Sequence, residues 1–330
     1  MSKKVLAVVF SDLHLNIWAK FNKNNERTLN HFRVLSFVRD LCNKHHCISL
    51  FCGDFFHKPD GISIELLHLM DNEFAKYDDE ANFYDGNSFE LLAISGNHEL
   101  KEVNTINNPK YSLITYLSNR YRWVYNIDNV SFKLTESSVV IHGVPYIDHN
   151  IGLNEYLSKL ELDPDYKHIL MLHTDYPGAK DTDGRVIDSV ENLNLNILNR
   201  FDLVLCGHIH KPQRLSKKVY MIGAPLQQRR TDRDCELGVW LLYDNLDMKF
   251  LPLKDFPKFI DVENESDIIE DGNYYTVLPK KASISNTNEH NITKQLSKRT
   301  LARRYMKKIG MKDKDKKNLL ISLLNKAETC

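Results

Sequence analysis

Five apolar runs in this chain each end in residues of the kind that bind cations, and no other feature narrows its fold so sharply. Val5 to Phe10 leads into Ser11-Asp12-Leu13-His14, and Ile48 to Cys52 into Gly53-Asp54-Phe55-Phe56-His57. Glu90 to Ser95 leads into Gly96-Asn97-His98-Glu99, and His168 to Leu172 into His173-Thr174-Asp175. Phe201 to Leu205 leads into Cys206-Gly207-His208-Ile209-His210. Short apolar runs bounded by glycine or polar turns read as buried strands. One ionisable group at the end of such a strand is unremarkable on its own. Several of them, left unpaired, would each cost kilocalories of desolvation. They call for a shared partner. Carboxylate, amide and imidazole donors, with no cysteine in the strong positions, suit a hydrolytic pair of divalent ions better than a structural zinc. In extended backbone residues i and i+2 share a face, so Asp12 with His14 and His208 with His210 are expected to point the same way. Gly207 is expected to let the backbone approach a bound ion.

Between the first strands lie helical patterns. Leu29, Phe32, Leu35, Val38 and Leu41 recur at helical spacing, and a second amphipathic helix covers about 62–76. Strand, helix, strand, helix, strand is the α/β pattern, in which sites form at the carboxyl ends of strands. Residues 77–88 read as an acidic surface loop. Strands at 121–126, 130–134 and 138–143 suggest a second sheet, followed by a short helix at 152–161 and, after the last metal-type motif, a strand at 218–222. From Cys235 to Leu278 short strands with turns at Asp244-Asn245 and Asp271-Gly272 suggest a small β-rich cap. The expected organisation is a catalytic domain at 1–225, a cap at 226–282, a linker at 283–291 and a helical tail at 292–330.

The zero net charge hides an asymmetry. Residues 293–330 hold 12 Lys and Arg against 3 Asp and Glu, leaving 32 against 41 in the rest. An acidic body with a basic tail points to different partners for the two parts. The tail's Leu319, Leu320, Ile321, Leu323 and Leu324 are too apolar for a free segment and call for a packing partner. The opening apolar run is too short for a signal peptide, and no stretch approaches the roughly 20 apolar residues of a bilayer span. The six cysteines show no paired spacing and read as free thiols of a reducing compartment.

In order and spacing, Asp12-x-His14, Gly53-Asp54, Gly96-Asn97-His98-Glu99, His173 and Gly207-His208-x-His210 resemble the calcineurin-like metallophosphoesterase signature, over roughly residues 4–225. Within that superfamily the chain looks most like the SbcD-type repair nucleases, bacterial and phage relatives of the eukaryotic "Mre-eleven" nuclease. That likeness rests on Gly53-Asp54-Phe55-Phe56-His57-Lys58-Pro59, the Gly-Asn-His-Glu form, Tyr220-Met221-Ile222-Gly223-Ala224-Pro225 and Phe256-Pro257-Lys258-Phe259. The run Gln227 to Arg233 departs from it.

The resemblance implies a four-layer α-β-β-α sandwich with a β-rich cap and a C-terminal helical tail. It implies that Asp12, His14 and His210 hold one ion and Asn97, His173 and His208 a second, with Asp54 bridging. It implies two divalent ions, manganese by family, although the donors also suit iron or zinc. His98 would stabilise the transition state and help protonate the leaving oxygen, and His57 would contact substrate phosphate. The implied activity is DNA exonuclease and endonuclease cleavage in double-strand-break processing and recombination. The implied partners are DNA, an SbcC or "Rad-fifty"-like coiled-coil ABC ATPase docked on the tail, and a second copy of the chain. The setting would be a bacterial cytoplasm, with the gene possibly carried by a phage. A phosphatase or cyclic-nucleotide phosphodiesterase on the same metals stays open as an alternative, as does a non-catalytic DNA-binding subunit.

Overall fold

The computed structural model describes residues 3–59, 62–80, 89–106, 108 and 110–278. The expected linker at 283–291 and tail at 292–330 lie outside the described residues, as does most of the acidic loop. In chain order the elements are β1 (Val5–Phe10), α1 (Glu26–His45), β2 (Ile48–Phe51), α2 (Ile64–Glu80), β3 (Leu91–Ala93), α3 (Leu113–Arg120), β4 (Val124–Asn126), β5 (Val130–Leu134), β6 (Val139–Gly143) and α4 (Leu153–Lys159). There follow β7 (Lys167–His173), α5 (Leu195–Leu198), β8 (Leu203–Gly207), β9 (Gln213–Arg214), β10 (Val219–Met221), β11 (Gly238–Tyr243), β12 (Met248–Pro252), β13 (Phe259–Val262) and β14 (Tyr274–Val277).

Two six-stranded sheets stack face to face. The first runs β12-β11-β1-β2-β3-β4 and the second β5-β6-β7-β8-β10-β9. In the first, β1, β2, β3 and β4 are mutually parallel; in the second, β6, β7, β8 and β10 are. Side-chain alternation divides the interior into three cores and so defines four layers. In β7, Ile169 and Met171 face the core between the sheets, while Leu170 and Leu172 face the core beneath α4 and α5. In β3, Leu92 faces inward, while Leu91 and Ala93 pack under α1, α2 and α3. β1 breaks the alternation once. Leu6 and Ala7 both face the inter-sheet core because the pairing with β11 slips between Val5 and Ala7, which absorbs one residue. This is the α-β-β-α sandwich.

Three expectations change. Val124–Asn126 is not part of the second sheet but pairs in parallel with β3 in the first. Helix α2 continues to Glu80, into the stretch expected as loop. The third change concerns the cap. Strands β11 and β12 belong to the first sheet, with β11 antiparallel to β1, so the expected boundary at 225/226 does not separate two bodies. The reason is visible in β11. Val239 and Leu241 face the helices, while Trp240 and Leu242 face the second sheet, so both faces need cover. Trp240 Nε1 also donates to Ile222 O at 2.9 Å. Among the described residues of the expected cap, β13 and β14 alone form a separate two-stranded sheet.

Helix α1 begins three residues before its apolar repeat and is buried well beyond its apolar stripe. Arg27, Thr28, Asn30 and His31 are all buried. Arg27 lies 3.9 Å from the Trp18 ring centre and donates to Gln228 O at 2.6 Å, so its burial is compensated by a cation–π contact and a carbonyl. Among the described residues no helix is long and apolar enough to cross a membrane.

Candidate metal centre

All five motifs sit at the carboxyl ends of parallel strands, β1, β2 and β3 from one sheet and β7 and β8 from the other. The first two motifs run side by side. Asp12 N donates to Gly53 O, and His14 N to Asp54 O, each at 2.9 Å. The backbone here is not extended. Asp12 and His14 have φ of 51°, Asp54 61° and His208 95°. A non-glycine residue in the left-handed region costs on the order of 1–3 kcal/mol, so such residues persist only where surroundings enforce them. The turns, rather than the strand pleat, aim these side chains. Asp12 and His14 do converge, but His208 and His210 diverge to different neighbours.

One group comprises Asp12, His14 and His210, whose donor atoms lie within 4.8 Å of one another. His14 Nε2 is 3.0 Å from His210 Nε2. The other comprises Asp54, His173 and His208, again within 4.8 Å. Asn97 joins it, its Oδ1 lying 3.2 Å from His173 Nε2 and 3.0 Å from His208 Nδ1. Asp54 stands between the groups through a single oxygen. Its Oδ2 is 3.7 Å from His14 Nε2 and 3.3 Å from His173 Nε2, while its Oδ1 accepts from His98 N at 2.9 Å. His98 lies at the edge. Its Nδ1 donates to His57 O at 2.6 Å, and its Nε2 is 4.0 Å from Asp54 Oδ2. His57 stacks beside it with ring centres 5.6 Å apart. His14, His57 and His98 form a third set of nitrogens within 4.8 Å.

The electrostatics suit a cation. Burial works against charge on Asp54, but His173 and then His14 and His98 outweigh it and hold the carboxyl well below its usual range. Burial pushes His14 well below the ordinary imidazole value and lowers His208 as well, leaving lone pairs free. His57 is lowered to about 4, first by burial and then by His98. Burial also opposes charge on His173, yet Asp54 raises it to about 9. Two facing Nε2 atoms at 3.0 Å and the buried carboxylates of Asp12 and Asp54 form a donor set that a divalent ion satisfies. The buried thiols nearby are not donors of this kind. Burial raises Cys206 to about 12 and pushes Cys52 well above its ordinary value.

Supporting residues that the sequence did not single out are now evident. Buried Glu99 accepts from Asp54 N at 2.9 Å, Gly96 N at 2.7 Å and Phe56 N at 2.8 Å, tying two strand ends together. Burial and then the Asp54 charge raise its carboxyl to about 8. Its local sign was the last position of the Gly96-Asn97-His98-Glu99 motif, to which the sequence assigned no role. Asp175 Oδ1 lies 3.6 Å from His208 Nε2, and buried Asp232 lies 3.8 Å from His210 Nδ1. Gly207 serves a purpose other than the one expected. A Cβ there would stand 2.1 Å from Cys52 O and 2.3 Å from Ser11 Oγ, so glycine permits close packing of neighbouring strand ends rather than approach to an ion.

Comparison with known proteins bears on the same residues. A family model described as calcineurin-like phosphoesterase matches residues 6–212, which contain both donor groups. The SbcD component of the nuclease SbcCD from Staphylococcus epidermidis is 24% identical over 225 residues, covering 61% of this chain and 57% of the relative. The aligned region thus spans a little over half of that relative's length. A crystal structure superposes on 77% of this chain and 100% of its own with a TM-score of 0.44 and 9% identity, a likeness too loose to bear on function.

Proposed function

The chain belongs to the calcineurin-like phosphoesterase family of metal-dependent hydrolases, and from that premise we propose that it is a two-metal phosphodiesterase that cuts DNA. The observation that carries the reading is Asp54 Oδ2, set between two nitrogen-rich donor groups drawn from both sheets. In this reading Asp12, His14 and His210 would hold one divalent cation, and Asn97, His173 and His208 the other, with Asp54 serving both. The cations, manganese by family resemblance, would activate water and neutralise charge on the phosphoryl oxygens.

The protein's own part is positional. Glu99 holds the Asp54 and Gly96 backbones in register. His98, fixed by its Nδ1–H bond to His57 O, turns Nε2 towards the centre, where it can share a proton with the leaving oxygen. His57 stacks beside it and is the proposed phosphate contact. The side chains of His98 and His208 are 33% and 28% exposed while Asp54 is buried, so substrate approaches from the His98 and His208 side.

The preference for DNA, in exonucleolytic and endonucleolytic cleavage, is supported by likeness to the SbcD nuclease and by the Gly-Asn-His-Glu motif. Work with an SbcC-like coiled-coil ATPase docked on 292–330, in recombination and break repair, belongs to the same proposal, as do a homodimer, a cap function for part of 226–282 and a bacterial or phage-encoded cytoplasmic setting. Manganese-loaded protein given linear duplex DNA and p-nitrophenyl phosphate in parallel decides the substrate. We expect DNA cleavage that weakens steeply with salt. Turnover confined to the monoester overturns the nuclease reading.

A further inference from the structure

Each imidazole of the centre has one nitrogen turned inward and one turned away, and what meets the outward nitrogen sets the tautomer offered to a cation. His173 donates from Nδ1 to Cys52 O at 2.7 Å. His14 and His210 lack such a bond, and of the two only His210 has a carboxylate described beside the outward nitrogen. Its Nε2 faces His14 Nε2 at 3.0 Å, but its buried Nδ1 has no hydrogen-bond partner. Asp232 Oδ2 lies 3.8 Å from that nitrogen.

Asp232 is fully buried. Its Oδ2 accepts from Gln228 N at 2.9 Å and Arg229 N at 3.1 Å, while its Oδ1 is buried without a hydrogen bond and stands 3.5 Å from Arg229 Nε. An unused imidazole N–H beside an underused carboxylate are complementary deficits, each costly alone. Closing the gap by about 1 Å makes an ordinary charge-assisted hydrogen bond. The turn that carries Asp232 is pinned to the same half of the centre, since Gln228 Nε2 donates to Leu13 O, between Asp12 and His14, at 3.0 Å. This turn is the Gln227-to-Arg233 run that departs from the family resemblance.

We propose that Asp232 is a positioning residue which takes the Nδ1–H of His210, leaves the lone pair on Nε2, and aims it at the cation shared with Asp12 and His14. The inference rests on the two-cation reading. It makes Asp232 specific to one of the two ions, because its hydrogen bonds and ion pairs described above involve none of Asn97, His173 or His208.

The test is a manganese titration by calorimetry on the full chain, for the wild type, Asp232→Ala and Asp232→Asn, with histidine 15N shifts of the metal-free protein. The wild type should bind two ions and show His210 as the Nδ1–H tautomer. In Asp232→Ala one site should weaken by about tenfold to a hundredfold, the other should hold, and the His210 tautomer should become mixed. Asp232→Asn, whose amide oxygen still accepts a hydrogen bond and keeps the turn capped, should recover most of the affinity and the tautomer. If Asp232→Ala fails to fold, Asp232→Asn decides through a smaller loss confined to one site. Unchanged binding with an unchanged tautomer overturns the proposal, as does equal loss at both sites. A wild type that binds fewer than two ions refutes the two-cation reading, and the metal-free tautomer then judges Asp232 alone.

Discussion

His98 is tied into the candidate metal centre by its backbone and by its ring. Its amide donates to Asp54 Oδ1 and its Nδ1 to His57 O, so the ring is held from two sides with Nε2 free. In the proposed mechanism, replacing it by alanine removes the proton-sharing group and leaves Asp12, His14, Asp54, Asn97, His173, His208 and His210 in place. His98→Ala should lower turnover by about 10²–10⁴-fold with both ions still bound, read by steady-state kinetics beside elemental metal analysis. Loss of an ion along with activity would make His98 a ligand. The left-handed backbone at Asp12, His14, Asp54 and His208 belongs to this scale too. None of these φ values can be read from residue type, because each is imposed by the neighbouring strand ends.

At the scale of the element, α1 is the instructive case. Its apolar repeat is plain in the sequence, but His31, on the side that repeat leaves polar, is buried as well. Its Nδ1 donates to Arg27 O at 2.9 Å, and burial lowers it to about 4 despite that bond. The folded state therefore binds this proton less well than the unfolded chain, whose imidazole titrates near 6.5. The stability this confers is complete above pH 6.5 and is lost as pH falls towards 4, by about 3 kcal/mol in all. Urea unfolding in chelator across that window should show the loss, and His31→Gln should flatten it. A parallel pH slope in the variant would place the acid sensitivity elsewhere. The same element begins ahead of its apolar repeat, where Arg27 and Thr28 look like solvent-facing residues until Trp18, Gln228 and Asn16 are brought against them.

Over the whole molecule, the donor set joins the two sheets, with Asp12, Asp54 and Asn97 from one and His173, His208 and His210 from the other. Cations filling it should clasp the sandwich. A chelator should lower the melting temperature, and manganese at about a hundred times its dissociation constant should restore about 2.7 kcal/mol per site, measured by scanning calorimetry. A melting temperature indifferent to both would show that the folded state binds no ion there. The order of strands, their buried character and the polar groups at their ends were legible in the sequence, because each depends on a few neighbouring residues and the alternation of a strand. The placement of Val124–Asn126 in the first sheet, the return of β11 beside β1, and the approach of Asp232 to His210 were not. Strand pairing joins segments far apart in the chain, and its choice depends on which faces remain uncovered once the others have packed. The amino-acid sequence by itself determined which residues are available for the centre. Only the tertiary structure decided which pairs of them face each other, because side-chain direction at the turns is set by contacts across the two sheets.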